Sequence, residues 1–319
     1  MKRYALDQSP FFKLKSRQKL SKILDADLNE LEVFARNDPV DNYKLFETSG
    51  GKPRPVQCPK HRLQVIHRRV CDLLARIDTP DYLHSAIKGH SYLSNAKAHA
   101  ANVPMVKVDI KKFFPSVTIN AVKRFFLKTM ECSPDVAALL SKVLTVYGHL
   151  ATGSSVSPIL SYYAHRDMFE EIAHLSAGRG AVMTCYVDDM CFSGETVTRK
   201  FLSDVRVIIR SHGLKSHKIH YFSSNMPRIV TGVVVTNSGI KLPNIRHKKI
   251  VDGYAQLQAA LSDEEKLKLL PSLIGRINEA AQIDPRWTPK AKQLTLEMKR
   301  ISSIAASSMN PSSRPSSWA

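Results

Sequence analysis

The residues Tyr186-Val187-Asp188-Asp189 decide how this chain is read, because two adjacent carboxylates sit between the β-prone runs Val182-Met183-Thr184-Cys185 and Met190-Cys191-Phe192. A strand, a tight turn and a second strand would hold both acids at an exposed hairpin tip, where oxygen ligands can bind Mg²⁺ and substrate phosphates. Acidic residues are also ordinary turn formers, so the pair gains meaning only from the rest of the chain. A third acid lies upstream in Val106-Lys107-Val108-Asp109-Ile110-Lys111-Lys112-Phe113-Phe114. Val106, Val108 and Ile110 alternate there with polar residues as in a half-buried strand, which puts Asp109 on the face opposite the valines. Phosphoryl transfer with two metals needs carboxylates from separate strands to converge on the ions. Three such acids without cations would repel one another and raise their pKa values, so the arrangement makes physical sense around bound cations. The competing reading of Asp109 is a strand terminator.

Composition narrows the partners. The chain has 319 residues, 43% of them hydrophobic, enough for one large core or two modest ones. The 47 Lys and Arg outnumber 28 Asp and Glu, giving a formal charge of +19 and a pI near 9.8. This excess is spread through the sequence, and nucleic acid is the commonest polyanion to meet it. No apolar run reaches the roughly 18 to 20 residues of a membrane-spanning helix, and Met1 to Asp7 lacks a secretory h-region, so a cytosolic, non-membrane protein is expected. Cys58, Cys71, Cys132, Cys185 and Cys191 form no CxxC pair and indicate neither a disulfide framework nor zinc. His212, His217 and His220 have no nearby Cys or acid in sequence to complete a metal set.

Periodicity predicts an α+β protein. Helices are expected near residues 21–35, 63–77, 119–130, 135–147, from Pro158, 197–211, 254–261, 264–281 and 289–304. Strands are expected at 106–110, 182–186, 190–192 and 229–235, with Gly50 to Val56 as a cationic break. The Ser- and Pro-rich end reads as a disordered tail.

In this order the pieces resemble the reverse transcriptases over roughly residues 50–235. Asp109 resembles the first metal-binding acid of the palm, and Tyr186-Val187-Asp188-Asp189 resembles the YxDD box. The resemblance implies a right-hand polymerase fold, with fingers and palm in residues 1–239, a helical thumb in 240–305 and a tail in 306–319. It implies two Mg²⁺ ions held by Asp109, Asp188, Asp189 and the Ile110 backbone carbonyl. Phe114 falls at the steric-gate position that selects deoxynucleotides, and alternation predicts that Phe113 points the other way. Lys52 and Arg54 fall where the fingers place cations on the incoming triphosphate, and Tyr186, Thr152 and Gly153 also fall at nucleotide positions. Leu150-Ala151-Thr152-Gly153-Ser154-Ser155-Val156-Ser157-Pro158 is similar to the LPQGxxxSP segment, but Ala151 and Thr152 replace Pro and Gln. A long amide contact to the nucleotide is therefore missing. After Gly213, the position of the lysine thought to protonate pyrophosphate holds His220, with Lys218 two residues earlier. An imidazolium beside phosphates can serve as general acid.

Two shorter signals resemble the retron reverse transcriptases of bacteria. Asn95-Ala96-Lys97-Ala98-His99 matches their NAxxH motif and Val230-Thr231-Gly232 their VTG motif, so Asn95, His99, Val230, Thr231 and Gly232 are expected at an RNA interface. The resemblance implies a structured non-coding RNA as template and primer, deoxynucleoside triphosphates as substrates and an RNA–DNA hybrid product. Priming would come from an internal guanosine 2′-hydroxyl and give branched multicopy single-stranded DNA. It further implies anti-phage defence with a separate effector protein. Cations such as Arg246, Lys248, Lys249, Lys290 and Arg300 suit a thumb that grips RNA by its phosphates. The alternatives are another bacterial class, such as a group II intron enzyme, and a non-catalytic RNA-binding scaffold.

Overall fold

The computed structural model describes residues 3–49 and 53–308, with side chains to residue 304. The chain divides into two compact units, one ending at Met226 and the other beginning at Pro227.

The first unit is built on an antiparallel sheet. Numbering strands along the chain, β1 (Tyr43–Glu47) and β2 (Pro55–Pro59) form a separate hairpin. The strands β3 (Met105–Ile110), β4 (Val182–Tyr186), β5 (Asp189–Ser193) and β6 (Ser216–Phe222) lie side by side in the order β4-β5-β3-β6. Met105, Val106, Val108 and Ile110 are fully buried, while Lys107 and Asp109 lie on a less covered face. Each fully buried Val or Ile contributes about 1.5–3 kcal/mol, which fixes the register of this strand, since a one-residue slip would expose all of them. The helices Ser157–Ala164, Arg166–Gly178 and Arg199–Ser211 complete this core with Phe169, Ile172, Phe201 and Val205.

Several elements depart from expectation. The 21–35 segment is two helices, Arg17–Leu24 and Leu28–Arg36, because Asp25 turns left-handed (φ 52°) and Asp27 caps the second. The segment 229–235 is a hairpin rather than one strand: β7 (Arg228–Val230) turns at Thr231-Gly232 into β8 (Val233–Thr236), which pairs with β9 (Gly239–Lys241). These three strands share no pairing with the larger sheet, so the second unit begins ahead of the expected boundary at residue 240. That unit has its own core of Ile250, Leu257, Leu270, Leu273 and Ile277 from the long helices Asn244–Ala259, Asp263–Ile283 and Thr288–Ser308. Residues 306–308 of the expected tail belong to the last helix, where Ala and Ser offer no break; residues 309–319 lie outside the described residues. Among the described residues no helix is long and apolar enough to cross a membrane.

Candidate active site

The antiparallel register brings the acids together. Asp109 of β3 lies directly opposite Asp189 of β5, and Asp189 in turn lies opposite Tyr186 of β4. Residues opposed in this way share one face of the sheet with Cβ atoms about 5 Å apart. Ile110 donates its backbone N–H to the Asp188 carbonyl (3.0 Å), tying the end of β3 to the hairpin tip. Val187 and Asp188 are the two loop residues, and Val187 adopts φ 62°.

Side chains of the protein itself pair with two of the three carboxylates, Asp109 and Asp189. Lys107 Nζ stands 2.7 Å from Asp189 Oδ2, Lys218 Nζ 3.1 Å from Asp109 Oδ2, and His217 Nε2 2.5 Å from Asp109 Oδ1. Burial opposes the charge on Lys107, yet Asp189 outweighs it and raises its pKa. Burial pushes Asp188 up to about 6, with Asp109 adding repulsion, and raises Asp189 against the pull of Lys107. Asp189 Oδ1 is buried and accepts no hydrogen bond. With the side chains so paired, no three His, Cys, Asp or Glu groups among the described residues stand as a ready metal set. The backbone register and the orphaned oxygen fit a divalent cation, and the carboxylates must leave their Lys and His partners to take it.

His220 and Lys218, the two candidate proton donors, are placed differently. His220 is exposed, opposite Lys107, with its ring 6.1 Å from Phe222. Beyond it a register shift on β6, with Lys218 at φ 46°, brings both His217 and Lys218 onto Asp109. Bulges re-aim side chains in this way, and β-prone alternation gives no sign of them.

Phe113 and Phe114 do not alternate. Lys112 leaves β3 in a left-handed conformation, and the short helix Phe113–Ser116 stacks the two rings 6.2 Å apart. Phe113 is buried and Phe114 half-buried. Arg54 is exposed next to β2, its backbone paired with Thr48; Lys52 lies outside the described residues.

The Leu150–Pro158 segment is docked onto β2. Gly153 donates its N–H to the Gln57 carbonyl (3.0 Å), and a Cβ at Gly153 would meet that oxygen at 2.8 Å, so only glycine fits. Thr152 bonds through Oγ1 to the Gln57 side chain (2.9 Å) and the Pro55 carbonyl (3.1 Å), so its hydroxyl is occupied within the protein. Ser154 Oγ bonds to Nδ1 of buried His67 (2.6 Å), whose pKa is pushed down to about 4 by burial. Sequence patterns missed Gln57 and His67, since isolated polar residues carry no period.

The residues expected at an RNA interface are largely internal. Asn95 is fully buried, and His99, 5% exposed, bonds to Ser193 Oγ (2.7 Å) and Thr184 Oγ1 (2.8 Å), bridging β5 and β4. Val230 is buried as well, while Thr231 and Gly232 make the β7–β8 turn, where a Gly232 side chain would meet Arg246 Nη2 at 2.8 Å. A polar pentapeptide reads as surface in sequence, but buried polar groups persist where each finds partners.

An antiparallel palm sheet with an acid pair at one hairpin tip and a third acid facing it defines a right-hand polymerase fold. The chain belongs to the reverse transcriptase (RNA-dependent DNA polymerase) family, whose model matches residues 47–235. It is 26% identical over 188 residues to the retron Se72 reverse transcriptase of Salmonella heidelberg (strain 579083-10), covering 56% of this chain and 48% of that protein. It is 27% identical over 292 residues to the retron Mx162 reverse transcriptase of Myxococcus xanthus, covering 80% of this chain and 60% of that protein. The chain thus spans about half to three-fifths of the length of these relatives. Among solved structures it matches a foamy viral protease-reverse transcriptase in complex with double-stranded DNA at 18% identity and TM-score 0.48, covering 97% of this chain and 52% of that one.

Proposed function

We propose that this protein is the RNA-directed DNA polymerase of a retron. The observation that carries the reading is the register of Asp109 against Asp189, with Ile110 tied to Asp188. Asp109, Asp188, Asp189 and the Ile110 carbonyl would hold two Mg²⁺ ions. When bound, these supply Lewis-acid activation of the primer hydroxyl and charge neutralisation on the departing pyrophosphate. The Lys107 ion pair opposes the upward push of burial on Asp189, and Lys218, exposed and at the rim of the acids, would give a proton to pyrophosphate. Arg54 and Lys52 would meet the triphosphate, Phe114 and Tyr186 the sugar and base, and Gly153 the nascent pair. The retron relatives and the basic charge support a structured non-coding RNA as template and primer. Its copying from a guanosine 2′-hydroxyl would give branched DNA joined to RNA, serving defence with a separate effector.

The test uses purified protein, its neighbouring non-coding RNA, Mg²⁺ and labelled deoxynucleotides. The reading predicts a labelled product that debranching enzyme shortens and that Asp188→Asn abolishes. Extension from an added 3′-hydroxyl primer alone would instead favour another class of reverse transcriptase, and no incorporation the scaffold reading.

A further inference from the structure

The outer edge of β4, on the side away from β5, is occupied by the run Tyr82 to Ser85. Cys185 donates its N–H to the Tyr82 carbonyl (2.7 Å), and His84 donates its N–H to the Cys185 carbonyl (2.9 Å), a parallel bridge that carries this run toward the acid-bearing tip. At the tip itself, Ser85 Oγ accepts the backbone N–H of Val187 at 2.9 Å, and Ser85 is 3% exposed. Val187 is β-branched and holds φ 62°, a conformation that costs a residue of this shape on the order of 1–3 kcal/mol and persists only where neighbours over-determine it.

The Tyr82–Ser85 run is itself fixed. His84 Nδ1 bonds to Ser94 Oγ (2.8 Å), and Ser94 with Ser91 forms the capping box of the helix Tyr92–Lys97. That helix leads to His99, which reaches Thr184 and Ser193 on the same face of the sheet as Asp189. The hairpin is therefore held twice by one hydrogen-bonded segment, in mid-strand by His99 and at the strained residue by Ser85.

We propose that Ser85 is a positioning residue for nucleotidyl transfer: its hydroxyl holds Val187 in the left-handed conformation that presents Asp188 and Asp189. It touches neither substrate nor metal and acts through the Val187 amide. Loss of the hydroxyl would let the turn relax, displacing both carboxylates by a fraction of an ångström to an ångström. Misplacements of that size reduce rates by up to about a hundredfold.

The proposal rests on the reading of Asp188 and Asp189 as the transfer acids; if that reading is wrong, the parent protein itself will not incorporate nucleotide. With an active parent, the test is a cycle of Ser85→Ala, Val187→Gly and the double variant, each assayed for kcat, nucleotide KM, the Mg²⁺ midpoint and thermal unfolding. Glycine adopts φ near +60° without strain, so Val187→Gly removes most of the need for the clamp. Expected are an about tenfold or greater fall in kcat for Ser85→Ala with KM little changed, a Mg²⁺ midpoint shifted upward, and a clearly smaller effect of the same substitution in the Val187→Gly background. Should Ser85→Ala fail to fold, refolding of the double variant would support the clamp. Equal losses in both backgrounds, an unchanged kcat and Mg²⁺ midpoint, or unfolding of both alanine variants would overturn it.

Discussion

Among the described residues three hairpins turn in two residues, and two of them, β4–β5 and β7–β8, begin the turn on a β-branched residue at positive φ but support it by different means. In the second unit, β7 and β8 close through Thr231 (φ 44°) and Gly232 (φ 78°), the glycine taking a left-handed conformation where an added Cβ would meet Arg246 Nη2 at 2.8 Å. In the first unit, β4 and β5 close through Val187 (φ 62°) and Asp188, with positive φ at the first loop residue alone. That is the pattern of a II′ turn, whose first central position normally belongs to glycine. Both turns begin on a β-branched residue at positive φ; β7–β8 follows it with a glycine, whereas the turn that bears the acids follows it with Asp188 and takes outside support at the strained residue from Ser85. Backbone strain concentrates where the surrounding structure must hold a group in one place.

The contrast predicts that changes around the acid tip act on rate and changes at the glycine tip act on folding. The largest effect belongs to Asp109→Asn, expected to lower RNA-templated incorporation by about a thousandfold or more in single-turnover assays while the thermal unfolding curve stays cooperative. Lys218→Ala should slow the chemical step by about tenfold or more, whereas His220→Ala should stay within about twofold; the reverse ranking would restore His220 as the acid. Gly232→Val should destabilise by about 2 kcal/mol in urea unfolding, from the left-handed backbone and the clash with Arg246 together.

A smaller effect concerns pH. Folding raises the Asp188 carboxyl from 3.8 to about 6, so the native state binds this proton more tightly than the unfolded chain. Its contribution is complete below pH 3.8 and is lost as pH rises through about 6, leaving an ionised, poorly solvated carboxylate of order 1–3 kcal/mol against folding at neutral pH without metal. Asp188→Asn should therefore raise the melting temperature at pH 8 and leave it unchanged at pH 4, even as it removes activity. An equal shift at both pH values would assign the effect to packing.

The strands that carry the acids were legible because their chemistry is periodic: Val106, Val108 and Ile110 alternate with Lys107 and Asp109, and the structure keeps that alternation. Long amphipathic helices such as Arg199–Ser211 were legible for the same reason. What escaped depends on tertiary context. Nothing local distinguishes the shift on β6 that sets His217 opposite Asp109 from a regular strand, which would have set Lys218 there, and in either register His220 lies opposite Lys107. The pentapeptide ending at His99 looks solvated by composition, but two hydroxyls, Thr184 and Ser193, take it inside. The turn at Thr231-Gly232 lies within an apolar β-prone run, so a single strand was the natural reading until the Gly232 backbone showed otherwise.

The central claim is that Asp109 and the Asp188-Asp189 tip exchange their lysine and histidine partners for shared metal ions when substrates arrive. Its most direct test is a structure with RNA–DNA hybrid, an incoming nucleotide and Mn²⁺, using anomalous scattering to locate the metal. The account predicts manganese bridging Asp109 and the tip carboxylates, with the Lys218–Asp109 pair broken. Manganese bound elsewhere, with Lys218 and His217 still on Asp109, would contradict it.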